Sequence, residues 1–120
     1  MNFDKFSIGV DIEDVERFIN KDEMFINRIF TPLEIEYCKS KITPHQHFAA
    51  RYCAKEAIFK ALSAFKEKGI EFKSIEIYHE NKVPKVRFLS ELKDRYDVKV
   101  SLSHDKTKAI AYVIINKKED

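Results

Sequence analysis

Arg51-Tyr52-Cys53-Ala54-Lys55-Glu56-Ala57-Ile58-Phe59-Lys60-Ala61-Leu62 is the stretch on which the fold turns. At about 100° per residue, Phe48, Tyr52, Ile58, Phe59, Leu62 and Phe65 gather on one arc, the apolar stripe of a core-facing helix. Lys55 falls inside that arc, between Tyr52 and Phe59, so its ammonium must snorkel to the edge or meet an anion. Glu56 borders the stripe, and Lys60 follows at the i,i+4 spacing where helix side chains touch. Taken alone, the helix fits a surface ion pair beside a snorkelling lysine as well as it fits a site.

Working outward, Thr43-Pro44 supplies an N-cap and a proline at the first helical position, and the helix is predicted over 44–66. Thr31-Pro32-Leu33-Glu34 reads as a capping box opening a helix to about Lys39. Two shorter helices are expected over 13–20 and 23–29. Before them, residues 6–12 alternate: Phe6, Ile8, Val10 and Ile12 are predicted on the buried face of a strand, with Ser7, Gly9 and Asp11 on the other. Asp is disfavoured in strands, so Asp11 needs a reason, although capping the next helix would be a sufficient one. Gly9 lies on the same face, where a missing side chain lets another group come close.

Past Gly69 the period changes to two. A strand through Phe72, Ile75 and Ile77 to about Tyr78, a turn at Glu80-Asn81-Lys82 and a strand over 83–88 are expected, with Pro84 confining the latter to an edge or an irregular start. A short helix over 89–96 follows. Val98, Val100, Leu102 and His104 share one face of a further strand, Asp105-Lys106-Thr107 forms a hairpin loop, and 109–115 is apolar on both faces, as in a central buried strand.

The 120 residues make one domain, 1–120, and 44% hydrophobic residues with ten phenylalanines support a packed core. Twenty-two basic against 20 acidic residues leave a net charge of +2, with no run of five or six like charges, so neither a nucleic-acid arm nor a polybasic membrane patch is signalled. No segment approaches the length of a membrane span, and Asp4 and Lys5 stand before any apolar run. Cys38 and Cys53 lack any zinc-like spacing and read as free thiols in a reducing, cytoplasmic setting. His45 and His47, two apart in a helix, point in different directions and are not expected to pair on a metal.

Three polar anomalies remain: Asp11 at a strand end beside glycine, Lys55-Glu56 with Lys60, and Ser103-His104 before a hairpin. Two carboxylates, two lysines and a histidine suit phosphate chemistry with a hard metal, because magnesium takes one or two carboxylates and binds the rest through waters and substrate phosphates. The lysines then balance the remaining phosphate charge.

These residues resemble a known family. Ile8-Gly9-Val10-Asp11-Ile12 with Arg17, Phe30-Thr31-Pro32-Leu33-Glu34, Ala54-Lys55-Glu56-Ala57 with Lys60-Ala61, and Ser101-Leu102-Ser103-His104-Asp105 leading to Ala109 and Ala111 match the holo-acyl-carrier-protein synthases, the small 4'-phosphopantetheinyl transferases, in order and spacing. The resemblance implies an α+β fold, a long helix packed on an antiparallel sheet, and a homotrimer with coenzyme A between subunits. It implies attack of an apo acyl carrier protein serine on the β-phosphorus of coenzyme A, releasing adenosine 3',5'-bisphosphate. Asp11 and Glu56 match the magnesium ligands, and Lys55 and Lys60 match residues near the pyrophosphate. Glu56 and Lys60 are the catalytic candidates, with the serine proton going to Glu56 or to a water on the metal. Asn81, Pro84, Ser103 and His104 fall in the coenzyme A motifs, and Arg17, Lys21 and Arg28 would dock an acidic carrier. The chain departs from the family where Ser63-Ala64-Phe65 stands in place of a Gly-Thr-Gly run and where Val83 replaces a turn glycine. A vestigial relative that binds without turnover, or a plain interaction module, are the alternatives.

Overall fold

The computed structural model describes residues 2–119. In chain order its elements are β1 (Phe6–Asp14), α1 (Glu23–Ile29), α2 (Pro32–Lys39), α3 (Pro44–Ser63), β2 (Ile75–Glu80), β3 (Val83–Phe88), β4 (Tyr96–His104) and β5 (Lys108–Lys117). Two antiparallel sheets result, one ordered β1-β5-β4 and the other the β2-β3 hairpin. This is the expected α+β arrangement, with α3 packed on the larger sheet.

The local signals act as their chemistry requires. Thr31 Oγ1 accepts from the Glu34 amide at 3.3 Å and Glu34 Oε1 accepts from the Thr31 amide at 2.8 Å, closing the capping box of α2. Pro44 opens α3, but Thr43 makes no side-chain cap. The helix ends at Ser63, short of the predicted 66, as Lys66 swings to φ 62°. Asn81 and Lys82 both take positive φ, 52° and 67°, the pattern of a two-residue type I′ hairpin turn. Asp105 Oδ1 accepts from the Thr107 and Lys108 amides, each at 2.8 Å, which shapes the β4-β5 turn.

The orientation of β1 reverses the expectation. Ser7, Gly9 and Asp11 face α3, while Ile8, Val10 and Ile12 face outward. Ser7 Oγ donates to the Ala61 carbonyl at 2.7 Å, and a Cβ on Gly9 would lie 2.0 Å from the Ala57 carbonyl oxygen. Helix and strand thus touch backbone to backbone, and only small residues fit between them: Gly9 on one side, Ala54, Ala57 and Ala61 on the other. Period two tells which residues share a face; bulk decides which face a close helix tolerates.

Four further expectations are corrected. Residues 13–20 form no helix: β1 runs to Asp14, followed by a 3-10 turn, Val15–Phe18. Residues 89–96 form only a 3-10 turn, Glu91–Asp94, and Phe72 belongs to the turn Phe72–Ser74. β5 is central, yet it buries only Ala109, Ala111, Val113 and Ile115. Its other face continues that of β1, with Ile8 opposite Ile114, Val10 opposite Tyr112 and Ile12 opposite Ile110, all six between 41% and 63% exposed.

The core lies on the inner side. Cys53, Ile58 and Leu62 of α3 pack with Ile75, Ile77, Val113 and Ile115, and a second cluster joins Val15, Phe18, Ile26, Ile29, Phe30 and Phe48. α3 is buried well beyond its predicted stripe, taking Arg51 and Lys55 inside with it. Among the described residues no helix is long and apolar enough to cross a membrane.

Candidate active site

The strand reversal carries Asp11 to α3. Asp11 Oδ1 accepts from Lys60 Nζ at 2.9 Å, and the same ammonium donates to the Val10 carbonyl at 3.0 Å. The Asp11 side chain is 10% exposed, and its Oδ2 is buried with no partner. Cys53 Sγ donates to the Asp11 carbonyl at 2.9 Å, fixing the strand end from below. Two residues on, Glu13 shares this face and pairs with Arg17 Nη1. Burial first, then Asp11, then Glu56 push the Glu13 pKa up to about 7, against the pull of Arg17. The Tyr52 hydroxyl pKa rises through burial and then through the neighbouring Glu56 carboxylate. Lys60 is held above its usual value, chiefly by its bond to Asp11.

Asp11, Glu13 and Glu56 therefore crowd negative charge into a part-buried corner. Among the described residues no three His, Cys, Asp or Glu side chains stand ready to hold a metal by themselves. Magnesium asks for less: one or two carboxylates, with waters and substrate phosphates completing the octahedron. The orphaned Asp11 oxygen, with a second carboxylate on the facing helix, fits that demand.

A second group of motif residues forms a different cavity, of about 440 Å³, lined among others by His47, Arg51, His79, Lys82, Pro84 and His104. His104 Nδ1 is 3.1 Å from Gln46 Oε1. Arg51 is 1% exposed, lies 4.0 Å from the Tyr37 ring centre and places Nη2 3.0 Å from His79 Nδ1, while its Nε has no partner. Tyr37 and His79 stack at 4.8 Å. Burial, followed by His104 and Arg51, lowers the His47 pKa to about 4; burial, then Arg51, lowers that of His79. Among the described residues no carboxylate lines this cavity and none pairs with Arg51, a setting made for an anion. A larger cavity, about 790 Å³ beside Val86, Phe88, Tyr96 and Val98, holds none of the motif residues.

Lys55 corrects the sequence reading. It is fully buried, with Nζ 2.7 Å from Glu34 Oε1, 2.8 Å from the Ile29 carbonyl and 3.0 Å from the Phe72 carbonyl. Its three donors are spent on tying α3 to α2 and the Phe72 turn, leaving none for a pyrophosphate. Ser103 leaves β4 on the outer face, opposite Ile110, away from His104. Asn81 sits in the hairpin turn, beside Lys82 rather than in the cavity wall. Lys21 Nζ lies 4.8 Å from the Phe25 ring, and Arg28 borders a shallow cavity with Phe72 and Lys73.

The two half-sites do not meet within one chain. Arg51 and Glu56 are five residues apart, so their side chains leave α3 about 140° from one another, and no described cavity joins them. The expected helix over 13–20 hides Glu13 from a sequence reading, whereas the alternation of β1, carried past Ile12, places it beside Asp11. Arg51 could have been found by its place on the apolar stripe, one turn before Lys55. Nothing in sequence spacing links His79 or Gln46 to this cavity.

A profile of the family described as ACPS, 4'-phosphopantetheinyl transferase superfamily, matches residues 7–113. The holo-[acyl-carrier-protein] synthase of Clostridium acetobutylicum is 37% identical over 119 residues, covering 90% of this chain and 94% of its own. Among solved structures, the Helicobacter pylori holo-[acyl-carrier-protein] synthase in complex with coenzyme A superposes with a TM-score of 0.78 at 30% identity, over 91% of this chain and 99% of that one. The ACPS-CoA complex of Chronobacterium ammoniagenes shares the fold, with a TM-score of 0.81 at 22% identity over 95% and 98% of the two chains.

Proposed function

The chain belongs to the holo-[acyl-carrier-protein] synthase family of 4'-phosphopantetheinyl transferases, and on that premise we propose that it transfers 4'-phosphopantetheine from coenzyme A to a serine of apo acyl carrier protein, releasing adenosine 3',5'-bisphosphate. Asp11 is the observation that carries the reading: a nine-tenths buried carboxylate with one oxygen bonded to Lys60 and the other bonded to nothing. A magnesium ion held by Asp11 and Glu56 would neutralise charge on the transferring phosphate oxygens. Lys60, half-exposed, contributes a mobile cation at the same mouth. Glu56 is the chain's own candidate to take the serine proton. Arg51, Lys82 and His104 would bind the bisphosphate end, and Gln46, in contact with His104 Nδ1, leaves Nε2 to meet an oxygen. Arg17, Lys21 and Arg28 would face an acidic carrier.

Separation of the half-sites supports placing coenzyme A between subunits. The outward face of β1 and β5, six large apolar side chains in direct register, is the surface on which a homotrimer would close. The test is to incubate the protein with apo acyl carrier protein, coenzyme A and magnesium and to weigh the carrier by mass spectrometry. Gain of one phosphopantetheine, lost with chelator, is expected. Coenzyme A binding without any gain in carrier mass would return the vestigial alternative.

A further inference from the structure

Of the three basic residues on the proposed docking surface, Arg17 alone is in an ion pair among the described residues, and its partner belongs to the metal corner. Glu13 leaves β1 on the same face as Asp11 and is 11% exposed in its side chain, against 48% for Arg17. Beside it stands the unpartnered, nine-tenths buried Asp11 Oδ2. Glu13 therefore sits between two cation positions, one filled by Arg17 and one facing the orphaned oxygen. We propose that Glu13 and Arg17 form a latch coupling metal to carrier docking: without metal Glu13 neutralises Arg17, and with metal bound Glu13 turns to it and releases Arg17 to an acidic carrier.

This rests on the reading of the protein as a magnesium-dependent carrier-modifying enzyme. A carboxylate offered both partners favours the doubly charged ion, since attraction scales with charge and magnesium selects oxygen anions. The guanidinium would not collapse when released. Its carbon lies 5.6 Å from the Tyr52 ring centre and 5.8 Å from that of Phe18, so the aromatic faces keep it in place while its charge becomes available. A freed surface cation then adds to the attraction for an acidic partner, mainly through association rate.

The experiment measures binding rather than turnover. Fluorescently labelled apo acyl carrier protein is titrated without coenzyme A, at a pH above 7 where Glu13 carries its charge and at matched ionic strength, with and without saturating magnesium, whose own binding is followed by calorimetry. Wild-type affinity for the carrier should rise about fivefold with magnesium, the size of one surface ion pair. Glu13→Gln should bind as the metal-loaded wild type does even without magnesium, and gain little more when it is added. Arg17→Gln should bind weakly under both conditions while taking up magnesium more tightly than wild type, because Glu13 is no longer shared. An equal magnesium gain in wild type and Glu13→Gln, or none in wild type, overturns the latch. A carrier that binds and is modified without a magnesium effect on affinity refutes only the latch; a carrier neither bound nor modified under any condition refutes the enzyme reading as well.

Discussion

Asp11 can be tested without disturbing its shape. Asp11→Asn and Glu56→Gln remove a charged oxygen each, and either should lower turnover by roughly a hundredfold, about 3 kcal/mol, the scale of one preorganised electrostatic contact. Circular dichroism should stay native in both, since the change relieves repulsion between neighbouring carboxylates. Full turnover in a folded Glu56→Gln protein would remove Glu56 from the site. Glu13 gives a stability signature in the metal-free protein. Its folded pKa of about 7 lies above the ordinary 4.5, so the native state holds the proton more tightly and stability should fall as pH rises from about 4.5 to 7. Thermal melts of Glu13→Gln across that window should lose this slope. At this scale Asp11, Glu56 and Lys60 were legible because each breaks a local rule in a recognisable place. Lys55 broke a rule too, but for a structural reason: its anion is Glu34, on a helix whose approach no spacing announces.

Among the elements, the contact between β1 and α3 sets the geometry on which the acidic corner depends. Gly9→Ala forces a Cβ against the Ala57 carbonyl, a backbone atom that cannot turn aside. About 1–3 kcal/mol of stability should be lost, as for overpacking in a tight core. Activity should fall further than stability predicts, since the strand must lift away from Lys60 and Glu56; chemical denaturation and turnover measured on the same preparation check both. The period of β1, the capping box of α2, the start of α3 and both hairpin turns were legible, because each is a local matter of side-chain chemistry and backbone φ. The side of β1 that meets α3 was not. Alternation is symmetric with respect to its two faces, and the alanines of α3 had to be read together with Gly9 to break the symmetry. The acidic run Glu13-Asp14-Glu16 lies in the stretch expected to be helical, whereas Glu13 pairs opposite Ala109 in the sheet.

At the scale of the whole molecule, sheet order and oligomer state lay beyond single-chain patterning, since residues 109–115 look the same whether their second face meets this chain or another. Val10 stands opposite Tyr112 in the middle of the outward apolar face. Val10→Asp should turn an oligomer in sedimentation velocity into a folded monomer and abolish transfer, because the carboxylate corner and the cationic cavity would then belong to no common site. A stable, fully active wild-type monomer would overturn the trimer. Arg51 carries a last consequence. Its charge is sealed inside with one nitrogen unbonded, so the empty chain stores an imbalance that a bound polyanion removes. Arg51→Met should melt no lower than wild type when empty, yet lose most of the rise in melting temperature that adenosine 3',5'-bisphosphate gives the wild type. Proteases that cut transiently opened chains should therefore clear the unliganded form first, which would tie the lifetime of the protein to the supply of the bisphosphate nucleotide proposed to bind there.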